Sequence, residues 1–144
     1  MNIQIVMSGT PSLSFAKVGI EEYLKRSSRF GNVELISIKE NKDHDKKRAK
    51  ILEGTDVILC DEKGKEYTTE ELASFIDQKT QNGTKTLSFL IGGPDGHPEH
   101  IRALYGQTLS LSQLTLPHDL AVLFLTENIY RASTINAGHP YHRP

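Results

Sequence analysis

The chain of 144 residues is 37% hydrophobic and 24% charged at a formal net charge of −1, the size and balance of one domain, residues 1–144, that buries a full core. Near-neutrality excludes the strongly basic profile of non-specific nucleic-acid binders, and no apolar run approaches the roughly 18 residues of a membrane span. The single cysteine, Cys60, has no partner for an internal disulfide, and the Met1 end has neither a long apolar run nor a charged leader, which fits a reducing cytoplasm.

Charge is unevenly spread. Every lysine lies at or before Lys85, whereas five of the six histidines and five of the six prolines lie from Pro94 onward. One reading is a solvated surface over an α/β core followed by more buried sequence. Another adds that histidines and prolines shape a site in the second part.

In chain order, residues 3–7 (IQIVM) form a short apolar run that ends in the turn-rich Ser8-Gly9-Thr10-Pro11, a first buried strand. From Ser12, the positions Phe15, Val18, Tyr23 and Leu24 recur at roughly helical intervals and predict a helix that stops near Gly31. Residues 33–38 (VELISI) predict a second strand, and the charged residues 42–54 a solvated helix with few core positions. Residues 56–60 (DVILC) are a continuous apolar strand of the parallel-sheet kind, and Asp61-Glu62-Lys63-Gly64 turns out of it. Thr68 and Glu71 have capping-box spacing ahead of the i, i+3, i+4 face of Leu72, Phe75 and Ile76. The helix they predict ends by Asn82-Gly83. Residues 86–91 (TLSFLI) are the next buried strand, a last short strand falls near 108–111, and a long apolar helix spans about 118–135. Strands alternating with helices give an α/β fold with a mainly parallel sheet. Ligands bind beyond the carboxyl ends of such strands, so the Cys60 end, the Gly92 loop and the segment after Leu109 are expected to converge.

Three features carry candidate chemistry. Gly92-Gly93-Pro94-Asp95-Gly96 follows a strand, as a nucleotide loop does, but matches neither a Walker loop nor GxGxxG, and alone it reads more readily as a structural turn. Residues 109–118 (LSLSQLTLPH) alternate apolar and small hydroxyl residues. They suit an edge strand plus helix start, or a surface that reads a purine edge between leucines. His97 with His100, and His139 with His142, are three apart, but Pro98 and Pro140 interrupt each pair and no cysteine pair or HExxH spacing accompanies them, so no metal site is expected. Cys60, ending a buried strand, reads as a small apolar filler rather than a nucleophile.

Taken together, LIGGPDG from Leu90, SLSQLTLPH from Ser110, ENIYRA from Glu127 and HPYHR from His139 resemble, in order, spacing and chain position, the SPOUT-class ribosomal RNA large subunit methyltransferase H family. The resemblance covers nearly the whole chain. It implies a trefoil knot near the C-terminus, a homodimer, and S-adenosylmethionine bound in the knot for methylation of N3 of a pseudouridine in large-subunit ribosomal RNA, within the ribosome. A knot is what pattern reading excludes by default. By position, the resemblance puts the cofactor contacts on Cys60, Gly92, Leu111, Ser112, Gln113, Leu114, Thr115 and Leu116, the three loops already expected to converge. Methyl transfer to an imide nitrogen also needs a proton acceptor or groups that stabilise an anion. His118, Tyr141, His142 and Arg143 are the candidates, the last three reaching the RNA site across the dimer interface. Without the resemblance, His118 merely begins a helix and the tail reads as a frayed end.

In one respect the chain departs from the family pattern. Relatives commonly have an arginine four residues after the Pro-His histidine, where this chain has Val122; Arg131 is the candidate to take over its contact. Two other readings stay open, a catalytically silent RNA-binding or ribosome-associated module of the same fold and a histidine-based hydrolase or metal enzyme.

Overall fold

Alternating burial along three central strands sets the architecture. In β1 (Asn2–Ser8), Ile3, Ile5 and Met7 enter one core while Val6 enters another, and β3 (Asp56–Cys60) and β4 (Thr86–Ile91) divide their side chains in the same way. Such strands are covered on both faces, as continuous apolar runs in parallel sheets require. The computed structural model describes residues 1–93 and 95–144. Pro94 of the glycine loop lies outside them.

The sheet has five strands in the order β2-β1-β4-β3-β5, every pair parallel, with β2 at Asn32–Ile38 and β5 at Gln107–Leu109. On one face lie α1 (Ser14–Ser27), α3 (Thr69–Gln81) and α5 (His118–Asn136), whose Ile20, Leu72, Ile76, Leu125 and Ile129 meet Ile5, Phe89 and Ile58 in the larger core. On the other face α2 (His44–Leu52) contributes Leu52 and α4 (Glu99–Leu104) contributes Ile101, against Val6, Leu59 and Leu90. The capping box of α3 is formed in both directions, Thr68 Oγ1 accepting from the Glu71 amide and Glu71 Oε1 from the Thr68 amide.

One element departs from the sequence expectations. The short helix α4 was not expected, because only Ile101 of its six residues is buried and no apolar period marks it. Val122, the departure from the family pattern, is completely buried in the larger core, so this position faces no substrate in this chain.

The segment after β5 does not simply leave the sheet. Ser110 donates from its amide to the Lys65 carbonyl, Ser110 Oγ to the Glu62 carbonyl, and Thr115 Oγ1 to the Glu62 carboxylate, while Gln113 binds Glu66. Residues 110–117 are thereby fastened to residues 61–67 before α5 settles between α1 and α3, contacts compatible with the knot that the resemblance implies. Among the described residues, no helix is long and apolar enough to cross a membrane.

Candidate active site

Strand ends bring the loops of the site together, and the start of α5 and Arg102 of α4 complete its lining. Cys60 closes β3 and Ile91 closes β4, and the chain leaves both at the same edge of the sheet, beside the loop that follows β5. Between them is a cleft of about 370 Å³ lined by residues of all three loops, within the range of small-molecule sites.

Of the residues singled out from the sequence, Cys60, Gly92, Leu111, Ser112, Leu114, Thr115, Leu116 and His118 line this cleft. Gln113 does not line it, and its side chain binds Glu66 on the exposed flank. Tyr141, His142 and Arg143 are not brought to the cleft either. The tail folds back on its own helices instead. Tyr141 stands edge-on to Tyr130 at 4.6 Å between ring centroids and donates its hydroxyl to Glu127 Oε1 at 3.0 Å, with the Arg131 guanidinium 4.7 Å from its ring centre. His142 lies between Arg131, 3.1 Å from Nδ1, and Glu70, 2.9 Å from Nε2. These contacts hold the end of the chain in place, but on a surface away from the cleft.

Glycine is required at two points of the β4 loop. Gly96 has φ +79°, a conformation that side chains with a Cβ rarely adopt, and its amide closes a turn on the Gly93 carbonyl at 2.9 Å. At Gly92 the constraint is space, since a Cβ would come within 3.2 Å of the Gly96 carbonyl carbon and 3.3 Å of His97 Nε2.

His118 starts α5 and lines the cleft, and its Nε2 is buried with no hydrogen-bond partner. A buried polar nitrogen without a partner costs on the order of 1–3 kcal/mol, so a ligand that supplies one is favoured there. The next residue fixes this end of the helix. Asp119 Oδ2 accepts from the amides of Ser12 and Leu13, each at 2.7 Å, tying α5 to the loop before α1. Those amides, Leu13 first, hold the Asp119 carboxyl below the usual carboxylate range.

Cys60 is buried and free, and desolvation first, then the charge of Asp61, pushes its thiol up to about 12. It is a thiol at neutral pH, a wall of the cleft and no nucleophile. The charged residues Asp61, Glu62, Lys63 and Arg102 of the cleft carry no signal in the sequence, and His97, considered there only as one of a histidine pair, lines it as well. The Asp-Glu-Lys-Gly stretch reads as an ordinary turn, and nothing local marks Arg102, which reaches Asp61 from α4 at 2.5 Å. Among the described residues, no three His, Cys, Asp or Glu side chains stand together as metal ligands.

The family model described as "Predicted SPOUT methyltransferase" matches residues 1–142. The chain is 40% identical to the Ribosomal RNA large subunit methyltransferase H of Deinococcus radiodurans over 145 residues, 99% of each chain. It is also 40% identical, over the whole of both chains, to the protein of that name from Thermus thermophilus. Among solved structures, a probable methylase family protein from Haemophilus influenzae Rd KW20 superposes with a TM-score of 0.60 over 95% of this chain and 66% of that one, at 13% identity, a likeness of fold.

Proposed function

Because the chain belongs to the SPOUT methyltransferases of the ribosomal RNA large subunit methyltransferase H family, we propose that it transfers the methyl group of S-adenosylmethionine to N3 of a pseudouridine in large-subunit ribosomal RNA, in the cytoplasm and as a homodimer acting on the ribosome. The observation that carries this reading is the cleft itself, three strand-end loops converging on one space with the unpartnered Nε2 of His118 in its wall.

The residues present suit this cofactor. Backbone groups of 111–116 and Gly92 can approach an adenosine closely, and the sequence of these loops matches neither a Walker nor a GxGxxG phosphate loop. With Asp61 occupied by Arg102, the carboxylates of Glu62 and Asp95 outnumber the remaining cation, Lys63, among the described residues of the lining, a balance that favours a cationic ligand. When bound, S-adenosylmethionine supplies an electrophilic methyl on a sulfonium for in-line displacement. The protein's part is to hold the acceptor in line, exclude water, and receive the imide proton as the nitrogen bonds to the methyl carbon. His118 Nε2 is the acceptor of that proton. Leu114, 78% exposed beside the cleft, offers an apolar face to the nucleobase.

The dimer reading is supported by apolar side chains left uncovered on α1 and α5, which pack side by side: Phe15, Val18 and Phe124 are 58%, 68% and 44% exposed. Within α5, Val122 and Leu125 are core residues and add nothing to this surface. A second copy is also the means by which a tail fastened away from its own cleft would reach a site.

Two measurements test the function together. Calorimetry should show S-adenosylmethionine binding, and mass-spectrometric mapping of large-subunit rRNA from cells without the protein should show loss of one methylpseudouridine that the intact gene restores. A well-folded protein with no affinity for S-adenosylmethionine would indicate a silent RNA-binding module instead.

A further inference from the structure

We propose that His97 is a positioning residue of this cleft: its imidazole fastens the end of β3 to the loop after β4 and sets the distance between the walls that hold the cofactor. The inference rests on the function proposed above and adds to it a residue with no part in the chemistry.

His97 is 7% exposed, and its Nε2 lies 2.9 Å from the Cys60 carbonyl. A carbonyl only accepts, so Nε2 carries the hydrogen and donates it, which fixes the ring's tautomer. The ring also fills the space beside Gly92, where a Cβ would come within 3.3 Å of the same nitrogen. The His97 carbonyl accepts from Arg102 Nε at 3.2 Å, and Arg102 pairs at 2.5 Å with Asp61, the residue after Cys60. The contacts form a closed ring running Cys60, His97, Arg102, Asp61, and each of these residues lines the cleft. A leucine of similar volume would fill the space but leave the carbonyl unbound.

Protonation would leave the Nε2 donor on the Cys60 carbonyl but place a charge in the buried wall. Burial first of all holds the His97 imidazole below the ordinary histidine value; Arg102 on α4 and Arg48 on α2 act in the same direction, while the Cys60 carbonyl and Asp61 oppose them. A charged imidazolium in the wall would also repel a sulfonium. Cofactor affinity is therefore constant above the ordinary histidine value of about 6.5 and falls as pH drops through the depressed value of His97. Folding stability has the same sign, since the unfolded chain takes up the proton first.

The test uses the full-length protein with His97→Leu, which keeps volume without a donor, and His97→Gln, which offers an amide hydrogen that does not titrate. Three readouts apply: calorimetry with S-adenosylmethionine from about pH 5 to about pH 8, thermal unfolding of the free protein over the same range, and alkylation of Cys60, the one cysteine in the chain. Expected for His97→Leu are about tenfold weaker binding, since a wall no longer fastened is competent to bind only part of the time, and faster Cys60 alkylation. His97→Gln should restore both at neutral pH and remove the acid dependence of binding and of stability. Equal affinity of His97→Leu and wild type, a His97→Gln protein as weak as His97→Leu, or an unchanged acid slope in His97→Gln each overturn the proposal. If His97→Leu does not fold, affinity and slope in His97→Gln decide it. Wild-type protein that fails to bind S-adenosylmethionine defeats the functional reading instead, and alkylation and pH-dependent melting then decide the fastening role alone.

Discussion

His118 and Gly92 line the same cleft for different reasons, one with a buried nitrogen that has no partner and the other because a Cβ would crowd the Gly96 backbone and His97. His118→Ala removes a proton acceptor and a contact together, whereas His118→Gln keeps a polar group near the same place without a titrating ring. If Nε2 takes the imide proton, single-turnover methylation by both variants should fall by about 100-fold or more, and the pH–rate profile should change shape. A parallel downward shift of an unchanged profile would show that His118 only positions the base. Gly92→Val places a branched side chain against the Gly96 backbone and His97. Calorimetry should show loss of S-adenosylmethionine binding in a folded protein, and unchanged affinity would move the cofactor out of this cleft. Residues at this scale were legible unevenly. Gly92 and His118 stand in short distinctive motifs, but Asp61 and Arg102 meet only through folding, because 41 positions of chain, including β4, separate them.

At the scale of elements, the junction of α1 and α5 depends on Asp119. Its carboxylate receives two amides at the start of α1, which has no side-chain cap of its own. Because this carboxyl is held below its ordinary value, it contributes stability above the ordinary carboxylate range, and that contribution is lost as pH falls through the depressed value. Asp119→Asn should cost about 1–2 kcal/mol at neutral pH and almost nothing at strongly acid pH, as measured by denaturant unfolding. A pH-independent difference would mean that packing, not charge, joins the helices. Elements with a strong local signal could be read from sequence: residues 56–60 and 86–91 coincide with β3 and β4, and the Thr68–Glu71 box does cap α3. The helix α4 could not, since six residues with one buried side chain provide no period, and the fastening of 110–117 to 61–67 depends on contacts between distant segments.

For the whole molecule, the question is how a tail fastened to its own helices could serve a cleft that it does not line. Tyr141 and His142 are anchored by Tyr130, Glu127, Arg131 and Glu70, on α5 and α3. The aromatic pair is worth about 0.5–1.5 kcal/mol, so deleting residues 141–144 should lower the melting temperature by only a few degrees and leave S-adenosylmethionine affinity nearly unchanged. Methyl transfer to ribosomal substrate should nevertheless be largely lost, because an aromatic ring, an imidazole and a guanidinium suited to a flipped base and its phosphate are removed. Mixing identifies the protomer that supplies them. In a two-fold dimer whose tails act in trans, an equal mixture of the tail-deleted chain and His118→Ala, refolded together, contains heterodimers in which one site has both an intact His118 and an intact tail. About a quarter of all sites are then complete, and activity should return to roughly that fraction of wild type. If each tail serves its own chain, no site in the mixture is complete and activity stays at the level of the separate variants. Sedimentation of the tail-deleted chain provides the control, because a shift to monomer would mean that the tail holds the dimer together rather than completing its sites.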